Sequence, residues 1–150
     1  MISDTVLVLA GPFGGRLDGQ RVGSAIARGL QADGRLKCDV CALEDDIGSR
    51  AERGARDASA PLLEADFDRR MRAARGVVIV CAHLDDRTLA GSVAFEAATR
   101  ARQSGVPAYA VTGHDALDPF EARIVDLQVI LQASGPRSLT AAARKLATLV

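Results

Sequence analysis

Five short apolar runs, rich in β-branched residues, recur along the chain, and the segments between them have the spacing of amphipathic helices. The runs at 5–10 and 77–82 are nearly continuous hydrophobics, which is typical of central strands covered on both faces. This alternation predicts a single doubly wound, mostly parallel, five-stranded α/β sheet, Rossmann-like or flavodoxin-like, with strand order 2-1-3-4-5. The predicted strands are 5–10, 37–43, 77–82, 107–112 and 129–133, and the predicted helices are 21–31, 62–74, 88–103, 119–127 and 138–149.

Length and charge narrow the possible partners. The chain has 150 residues, enough for one domain with a full core, and the whole of 1–150 is predicted to be that domain. Lys plus Arg number 19 and Asp plus Glu number 19, so the chain has no net charge. It therefore has no overall positive electrostatic field to attract nucleic acid or an anionic membrane. Few aromatic side chains are present to stack on bases. We therefore expect neither nucleic-acid nor membrane binding.

The N-terminal stretch and the cysteines indicate the cellular compartment of the protein. MISDTVLVLAG lacks the basic start and the longer apolar core of a signal peptide, and no run approaches the roughly 20 apolar residues of a membrane span. Cys38, Cys41 and Cys81 are an odd set without the density of a disulfide framework. The C-x-x-C spacing falls inside a predicted strand, which favours buried structural thiols over a zinc or redox motif. The sequence predicts a reduced, cytoplasmic protein.

Function is expected in the loops that follow the strands, because ligands of such sheets bind outside the carboxyl ends of the strands. The first loop, AGPFGGRLDGQ at 10–20, joins a strand to a helix, and a glycine-rich turn there presents backbone N–H groups to an anion. It matches neither G-x-G-x-x-G nor the P-loop pattern. Tight strand-to-helix turns need glycine in any case. The loop alone leaves phosphate binding and a purely structural turn both open.

The segment HLDDRT at 83–88 places an imidazole, two carboxylates and a guanidinium at the mouth of a central strand. These groups suit acid–base chemistry or a hydrated magnesium ion. The alternative is a polar loop in which Asp85 or Asp86 caps the next helix and Arg87 faces water. Both interpretations remain open.

Two other polar segments follow strands. His114 and Asp115 come after the fourth strand, where a His-Asp pair is most simply part of a polar turn. Residues 44–59, EDDIGSRAERGARDAS, are polar and poor in large apolar groups. They are either a mobile lid or a surface connection, and the connection is favoured because long loops are more often structural.

Two blocks, VLVLAGPFGGRLDGQRVGSAIARGL and VVIVCAHLDDRTLAGSVAFEAATRARQSGVPAYAVTG, resemble the bacterial type of glycerate kinase. The first loop of that family typically reads Ala-Pro-Asp-Ser-Phe-Lys-Gly-Ser-Leu. Its later motif reads approximately Thr-Gly-Glu-Gly-Arg-Leu-Asp-x-Gln-Thr-x-x-Gly-Lys. The matching positions here are Phe13, Gly15, Leu17, Ala25, Ile26, Gly29, Leu30, Leu84, Asp85, Thr88, Gly91, Gly105, Val106, Pro107 and Gly113.

The resemblance implies the Rossmann-like domain of an ATP-dependent phosphotransferase whose second domain is absent. The family's loop Asp and Lys align with Gly11 and Gly14, and its later Arg, Gln and helix Lys align with His83, Arg87 and Ser92. Phosphoryl transfer depends on positioning and charge stabilisation, so these replacements remove what the reaction needs. The resemblance then implies a glycerate-kinase-like protein that does not transfer phosphate by itself and acts as a small-anion-binding, scaffolding or regulatory module.

The same resemblance implies a site for a small anion or hydroxy acid. The alternative is an active minimal kinase that phosphorylates glycerate or a related hydroxy acid, with Asp85 and Asp86 catalytic and Asp85 holding the metal of Mg-ATP. A homodimer would then rebuild the missing wall of the cleft. No cofactor is specified beyond the magnesium and ATP of that alternative. The implied ligand-binding residues are Gly14, Gly15, Arg16, His83, Arg87 and Thr88.

Overall fold

The computed structural model describes residues 3–14, 16–48, 58–85 and 91–150, and for 121–122 it describes the backbone alone. Strands and helices alternate along it. The strands are β1 (Thr5–Ala10), β2 (Lys37–Ala42), β3 (Gly76–Asp85), β4 (Ala108–Ala116) and β5 (Leu127–Gln132). The helices are α1 (Gly19–Leu30), α2 (Ser59–Glu64), α3 (Phe67–Arg72), α4 (Val93–Gln103), α5 (Pro119–Val125) and α6 (Pro136–Ala147).

The strands form one parallel sheet in the order β2-β1-β3-β4-β5, which confirms the predicted topology. β1 pairs with β3 from Val6 opposite Gly76 to Ala10 opposite Val80. Because β2 lies on one side of β1 and β3 on the other, the order reverses between β1 and β3. The crevice at the carboxyl ends of these two strands is therefore the expected place for a ligand.

Helices cover both faces of the sheet. Alternate residues of each strand point to opposite faces, so Leu7 and Leu9 of β1 enter the core beneath α2, α3 and α4. Val6 and Val8 enter the core beneath α1 and α6. All four side chains are fully buried. Burial on both faces explains why the sequence of β1 is continuously apolar.

The helices α4 and α6 begin at Val93 and Pro136, whereas the sequence predicted starts at 88 and 138, and one predicted helix is divided in two. The single helix predicted at 62–74 is two short helices, because Asp66 adopts a left-handed conformation with φ 57° between α2 and α3. Asp is one of the few residues other than glycine that tolerate this region. In the described part of the chain, no helix has the length and apolar character needed to cross a membrane.

β3 and β4 are longer than predicted. β3 continues to Asp85 and β4 to Ala116, and the added residues pair with one another, Asp85 opposite Ala116. The prediction ended both strands where the apolar runs end, at 82 and 112. Backbone pairing between two adjacent strands does not require apolar side chains, so the ladder extends into the polar residues.

Candidate functional site

The loop between β1 and α1 closes on itself. The Phe13 N–H donates to the Leu17 carbonyl at 2.9 Å, and the Leu17 N–H donates to the Gly14 carbonyl at 3.1 Å. Gly14 has φ +83°, a value that residues with a side chain rarely adopt. Gly14 and Arg16 are exposed, and Gly15 lies outside the described residues. The loop has the tight turn that its glycines predict, and part of its backbone is bonded internally.

The N-terminus of α1 already holds an acidic group. The Asp18 carboxylate accepts a hydrogen bond from the Arg21 N–H at 2.9 Å, so Asp18 is the N-cap of α1. This carboxylate lies where an anionic ligand would meet the positive end of the helix. A side chain at Gly19 would overlap the Leu43 carbonyl, so the first turn is also packed against the chain after β2.

Residues 43–48, here called the crossing segment, run from β2 across the carboxyl ends of β1 and β3. A Cβ at Gly11 would lie 2.9 Å from Ile47 Cγ1, and a Cβ at Gly48 would overlap the β3 backbone. The Ile47 carbonyl accepts from the Ala94 N–H of α4 at 2.8 Å. Ile47 is only 1% exposed. A buried apolar side chain therefore occupies the crevice between β1 and β3 on the α4 side.

This placement bears on the polar segment 44–59, which the sequence left open between a lid and a surface connection. Its part 49–57 lies outside the described residues. In the described part, residues 44–46 are exposed, and Ile47 anchors the segment in the core. On the other side of the sheet, Phe13 Cε2 lies 3.5 Å from the position of a Cβ at Gly113. Apolar side chains thus pack at the carboxyl ends of the strands from both faces.

The extended strands bring together the two histidines of the chain. His83 of β3 lies opposite His114 of β4, and register partners in a sheet project from the same face. His83 Nε2 lies 3.6 Å from Asp46 Oδ2 of the crossing segment, an ion pair when the ring is protonated. Asp46 Oδ1 accepts from the Gly48 N–H at 3.0 Å, which fixes the carboxylate. Three segments of the chain therefore converge on one imidazole–carboxylate group.

Sequence reasoning singled out both histidines but did not pair them. It placed each in a separate loop after a strand, because it ended the strands at 82 and 112. The distances along the sequence did indicate that the two histidines pair. His83 follows Val77 by the same interval as His114 follows Ala108, and Val77 lies opposite Ala108 in the sheet.

Cys81 and Thr112 lie two residues before the histidines in the same two strands. They are opposite one another, and both are buried. The Thr112 hydroxyl donates to the His114 carbonyl at 3.1 Å, which holds the end of β4. Burial raises the pKa of the Cys81 thiol to about 12. Only the thiolate is a good nucleophile, so Cys81 is a structural residue at neutral pH.

The C-x-x-C pair lies in β2, away from the histidines. Burial raises the pKa of Cys38 to about 11 and raises that of Cys41 as well. Both are free thiols, half-buried at Cys38 and buried at Cys41. Protonated, partly buried thiols on a strand agree with the structural role expected from the sequence.

The start of α4 also faces this edge, and groups of the chain itself accept hydrogen bonds from the N–H groups of Ala94 and Phe95. The Ser92 hydroxyl accepts from the Phe95 N–H at 3.1 Å, and Ala94 donates to the crossing segment. Ser92 is buried. The sequence aligned Ser92 with a lysine of the kinase family, whereas the structure uses it as the helix N-cap.

Among the described residues at the carboxyl edge, acidic groups outnumber guanidinium groups. Asp85 is half-buried at the end of β3, while Asp86, Arg87 and Thr88 lie outside the described residues. Among the described residues, no group of three or more His, Cys, Asp or Glu side chains is arranged to hold a metal ion. The acidic groups at this edge are Asp18, Glu44, Asp45, Asp46, Asp85, Asp115 and Asp118, and the guanidinium groups are Arg16, Arg21 and Arg137.

Comparison with known proteins gives distant likenesses among solved structures. No protein-family model matches this chain, and no curated protein matches it. Among solved structures, it is similar to the crystal structure of a LuxR-family DNA-binding response regulator from Staphylococcus aureus. The two chains share 14% identity with a TM-score of 0.46, over 95% of this chain and 98% of that one. At this level the likeness carries no argument about what this chain binds or does.

The interpretation as a glycerate-kinase-like protein is wrong, and so are the kinase and transferase activities that it implies. No family model and no curated protein supports it. The alternative of a minimal active kinase is no better supported. The matching residues have structural duties: Gly91 and Gly105 have φ of 84° and 71°, Leu84 is buried, and Gly113 packs against the Ala82 carbonyl. Residues required by the fold do not identify a phosphotransferase.

Proposed function

We propose that this chain is a binding protein that takes a small hydroxy acid at the carboxyl edge of β3 and β4. The observation that carries the proposal is the pairing of His83 with His114 beside Asp46. Ligands of doubly wound sheets bind at this edge. Imidazole N–H groups donate to a ligand carboxylate, and carboxylates accept from ligand hydroxyls. A hydroxy acid is the small ligand that uses both kinds of group.

Packing and charge limit the size of the ligand. Ile47 and Phe13 fill the space beside the end of β1, so the proposed site is a shallow surface rather than a deep cleft. The surrounding carboxylates repel a polyanion, and this repulsion grows with each negative charge on the ligand. The proposal is therefore a ligand with one negative charge and several hydroxyl groups, not a nucleotide.

The other residues predicted from the sequence enter the proposal as contacts to be tested. Arg16 is exposed on the neighbouring loop and adds a positive charge for the ligand carboxylate. Asp85 is half-buried at the end of β3, and its proposed part is to accept a ligand hydroxyl. Arg87 and Thr88 follow directly in the sequence and stay predictions, as do Gly14, Gly15 and Asp86.

A cytoplasmic location is part of the same proposal. It is supported by Cys38, Cys41 and Cys81, which are free thiols. Free cysteines are typical of a reducing compartment. The organisation of 1–150 as one domain also stays a prediction.

Nuclear magnetic resonance of the imidazole rings tests the proposal. We expect glycerate at millimolar concentrations to shift the His83 and His114 ring signals in a saturable way. Acetate, which lacks the hydroxyls, and glycerol, which lacks the carboxylate, are the matched ligands and should bind more weakly. The His83→Ala variant should lose the response of His114.

Lys145→Ala is the control variant, because Lys145 is exposed in the last turn of α6, away from this edge. It should bind glycerate as the wild-type chain does. If glycerate moves the rings no more than acetate does, or if His83→Ala binds glycerate unchanged, the proposal is refuted.

A further inference from the structure

Helices α1 and α6 cover the same face of the sheet and contact one another directly. The Thr140 hydroxyl of α6 donates to the Ala25 carbonyl of α1 at 2.9 Å. A side chain at Gly29 would overlap the Thr140 carbonyl, so the two backbones approach closely at this point. The line of contact between α1 and α6 is here called the seam. Because small residues form it, the groove along its outer side is shallow.

Four exposed arginines, here called the seam arginines, flank this groove. On α1, Arg21 lies four residues before the accepting alanine and Arg28 lies three residues after it. On α6, Arg137 lies three residues before the donating threonine and Arg144 lies four residues after it. Residues three and four apart share one stripe of a helix. Each helix therefore presents two arginines on the stripe that carries its contact residue.

The seam arginines form two rows that face one another across the groove. The contacts advance along both helices together, because Gly29, one turn beyond the first contact on α1, lies against Ala143, three residues beyond the first contact on α6. The two helices therefore run in the same direction. One arginine of each row lies before the contact and one lies after it. Within a row the two arginines are seven residues apart, which is about 10.5 Å along the helix axis.

The positive charge of these rows is not balanced within the two helices. Their sequences, GQRVGSAIARGL and PRSLTAAARKLA, contain no Asp or Glu. Arg21 donates to the backbone carbonyl of Arg16 at 2.7 Å, an acceptor without a charge. Within the described part of the chain, none of the seam arginines forms an ion pair, whereas Arg70 and Arg100 on the other face of the sheet do. The neutral chain therefore has one strongly basic helical surface.

We propose that the seam docks an acidic helix of a partner protein, whose carboxylates accept hydrogen bonds from the seam arginines. A helix that lies along the groove presents carboxylates two turns apart at about 10.5 Å, the same interval at which the arginines repeat. Such a helix reaches both rows, because residues on the two sides of its contact stripe face opposite walls of the groove. The planar guanidinium group binds a carboxylate through two parallel hydrogen bonds.

The surface around the seam arginines favours this partner over a nucleic acid or a membrane. On α1 and α6, no exposed residue is aromatic or large and apolar. Proteins that bind single-stranded nucleic acid stack the bases on aromatic side chains. Helices that lie on membranes insert large apolar side chains into the bilayer. The uncharged exposed residues of the two helices are Gln20, Ser24, Pro136 and Ala141.

A pair of designed peptides tests the proposal. The first is an alanine-based helix of about 20 residues, with glutamates at seven-residue intervals on both sides of one alanine stripe. The second has the same composition, with its glutamates scattered around the helix. We expect fluorescence anisotropy at low salt to show saturable binding of the first peptide and binding of the second that is at least about threefold weaker.

Charge reversal locates the binding surface. Arg28→Glu with Arg144→Glu should weaken binding of the first peptide at least about tenfold, because two attractions become two repulsions. Arg72→Glu with Arg102→Glu is the matched control. It changes the net charge equally, and both arginines are exposed on helices that cover the other face of the sheet. The control variant should bind the first peptide within about threefold of the wild-type chain.

Thermal unfolding shows whether each variant is folded, and Arg28→Gln with Arg144→Gln replaces the double-glutamate variant if that one fails to fold. The proposal is overturned if the first peptide does not bind at about 1 mM, if the two peptides bind equally, or if the seam variant binds as tightly as the control variant. A DNA duplex and phosphatidylserine vesicles are measured under the same conditions. If either binds more tightly than the first peptide and loses that binding only in the seam variant, the seam has a different partner and the proposal is equally overturned.

Discussion

The contact between Gly11 and Ile47 makes a quantitative prediction about the carboxyl edge. Ile47→Ala removes a fully buried side chain, and the free energy of unfolding should fall by about 3 kcal/mol. Gly11→Ala places a methyl group 2.9 Å from Ile47 Cγ1 and 3.3 Å from its Cγ2, closer than ordinary van der Waals contact. Overpacking of this kind should cost about 2 kcal/mol.

The two substitutions should not be additive. In the Ile47→Ala background both Cγ atoms are absent, and the remaining neighbour of the new methyl group is the Asp45 carbonyl at an ordinary 3.4 Å. Gly11→Ala should then cost close to nothing. The coupling free energy should be about 2 kcal/mol, well above the deviation of about 0.5 kcal/mol seen for independent sites.

Ile47→Val is the matched control, because valine keeps two Cγ atoms on Cβ. Gly11→Ala should cost as much in the valine background as in the wild-type chain. Urea unfolding of the single and double variants measures all of these values, and a constant m-value shows that only stability has changed. Additive effects of Gly11→Ala and Ile47→Ala would refute the placement of Ile47 against the end of β1.

Three further predictions concern other contacts. Hydrogen bonds from Arg70 lower the pKa of Asp39, so the pair stabilises the fold above about pH 4 and loses this effect as pH falls through the lowered pKa. Asp39→Asn should therefore cost about 1 kcal/mol at pH 7, and urea unfolding should show the difference shrinking in acid. Burial raises the pKa of Cys81 to about 12, so iodoacetamide at pH 8 should label it, by mass spectrometry, only as fast as the protein unfolds. Gly48→Ala should lower the free energy of unfolding by about 3 kcal/mol in urea, because the new Cβ overlaps the His83 carbonyl and backbone must move.

The topology could be predicted from the sequence because burial on both faces leaves a strong local signal. β1 and the first part of β3 are continuously apolar, and that pattern places them at the centre of the sheet. Some helix ends also carry a local signal in the sequence. Asp18 bonds the first turn of α1, and Gly34 and Gly105 adopt positive φ where α1 and α4 have ended.

The break between α2 and α3 could not be predicted from the sequence. The residues on both sides of Asp66 favour a helix, and the left-handed conformation of that one residue divides them. Arg70 donates to the Ala65 carbonyl as well as to Asp39 of β2, so tertiary contacts hold the break. Local propensity is a weak guide where such contacts decide the conformation.

The candidate site was only partly predictable, and the reason lies in the crossing segment. Ile47 is the one large apolar residue in a polar stretch, EDDIGS, and periodicity gives no warning that a single residue enters the core. Yet its burial decides how Asp46 is placed, since the neighbouring residue must then follow the end of β3. The ion pair of Asp46 with His83 depends on this non-local contact. A site assembled by three segments from distant parts of the chain leaves no motif in any one of them.

The glycine-rich loops suggested the wrong protein family for a related physical reason. The demands of a doubly wound sheet place glycine wherever a strand end must approach another segment closely. Gly19 meets the Leu43 carbonyl, Gly113 meets the Ala82 carbonyl, and Gly11 meets Ile47. Two unrelated proteins with this topology will therefore share glycines at strand ends in the same order. Function must be argued from the groups that the fold does not require, and at this edge those are His83, His114 and Asp46 of the crossing segment.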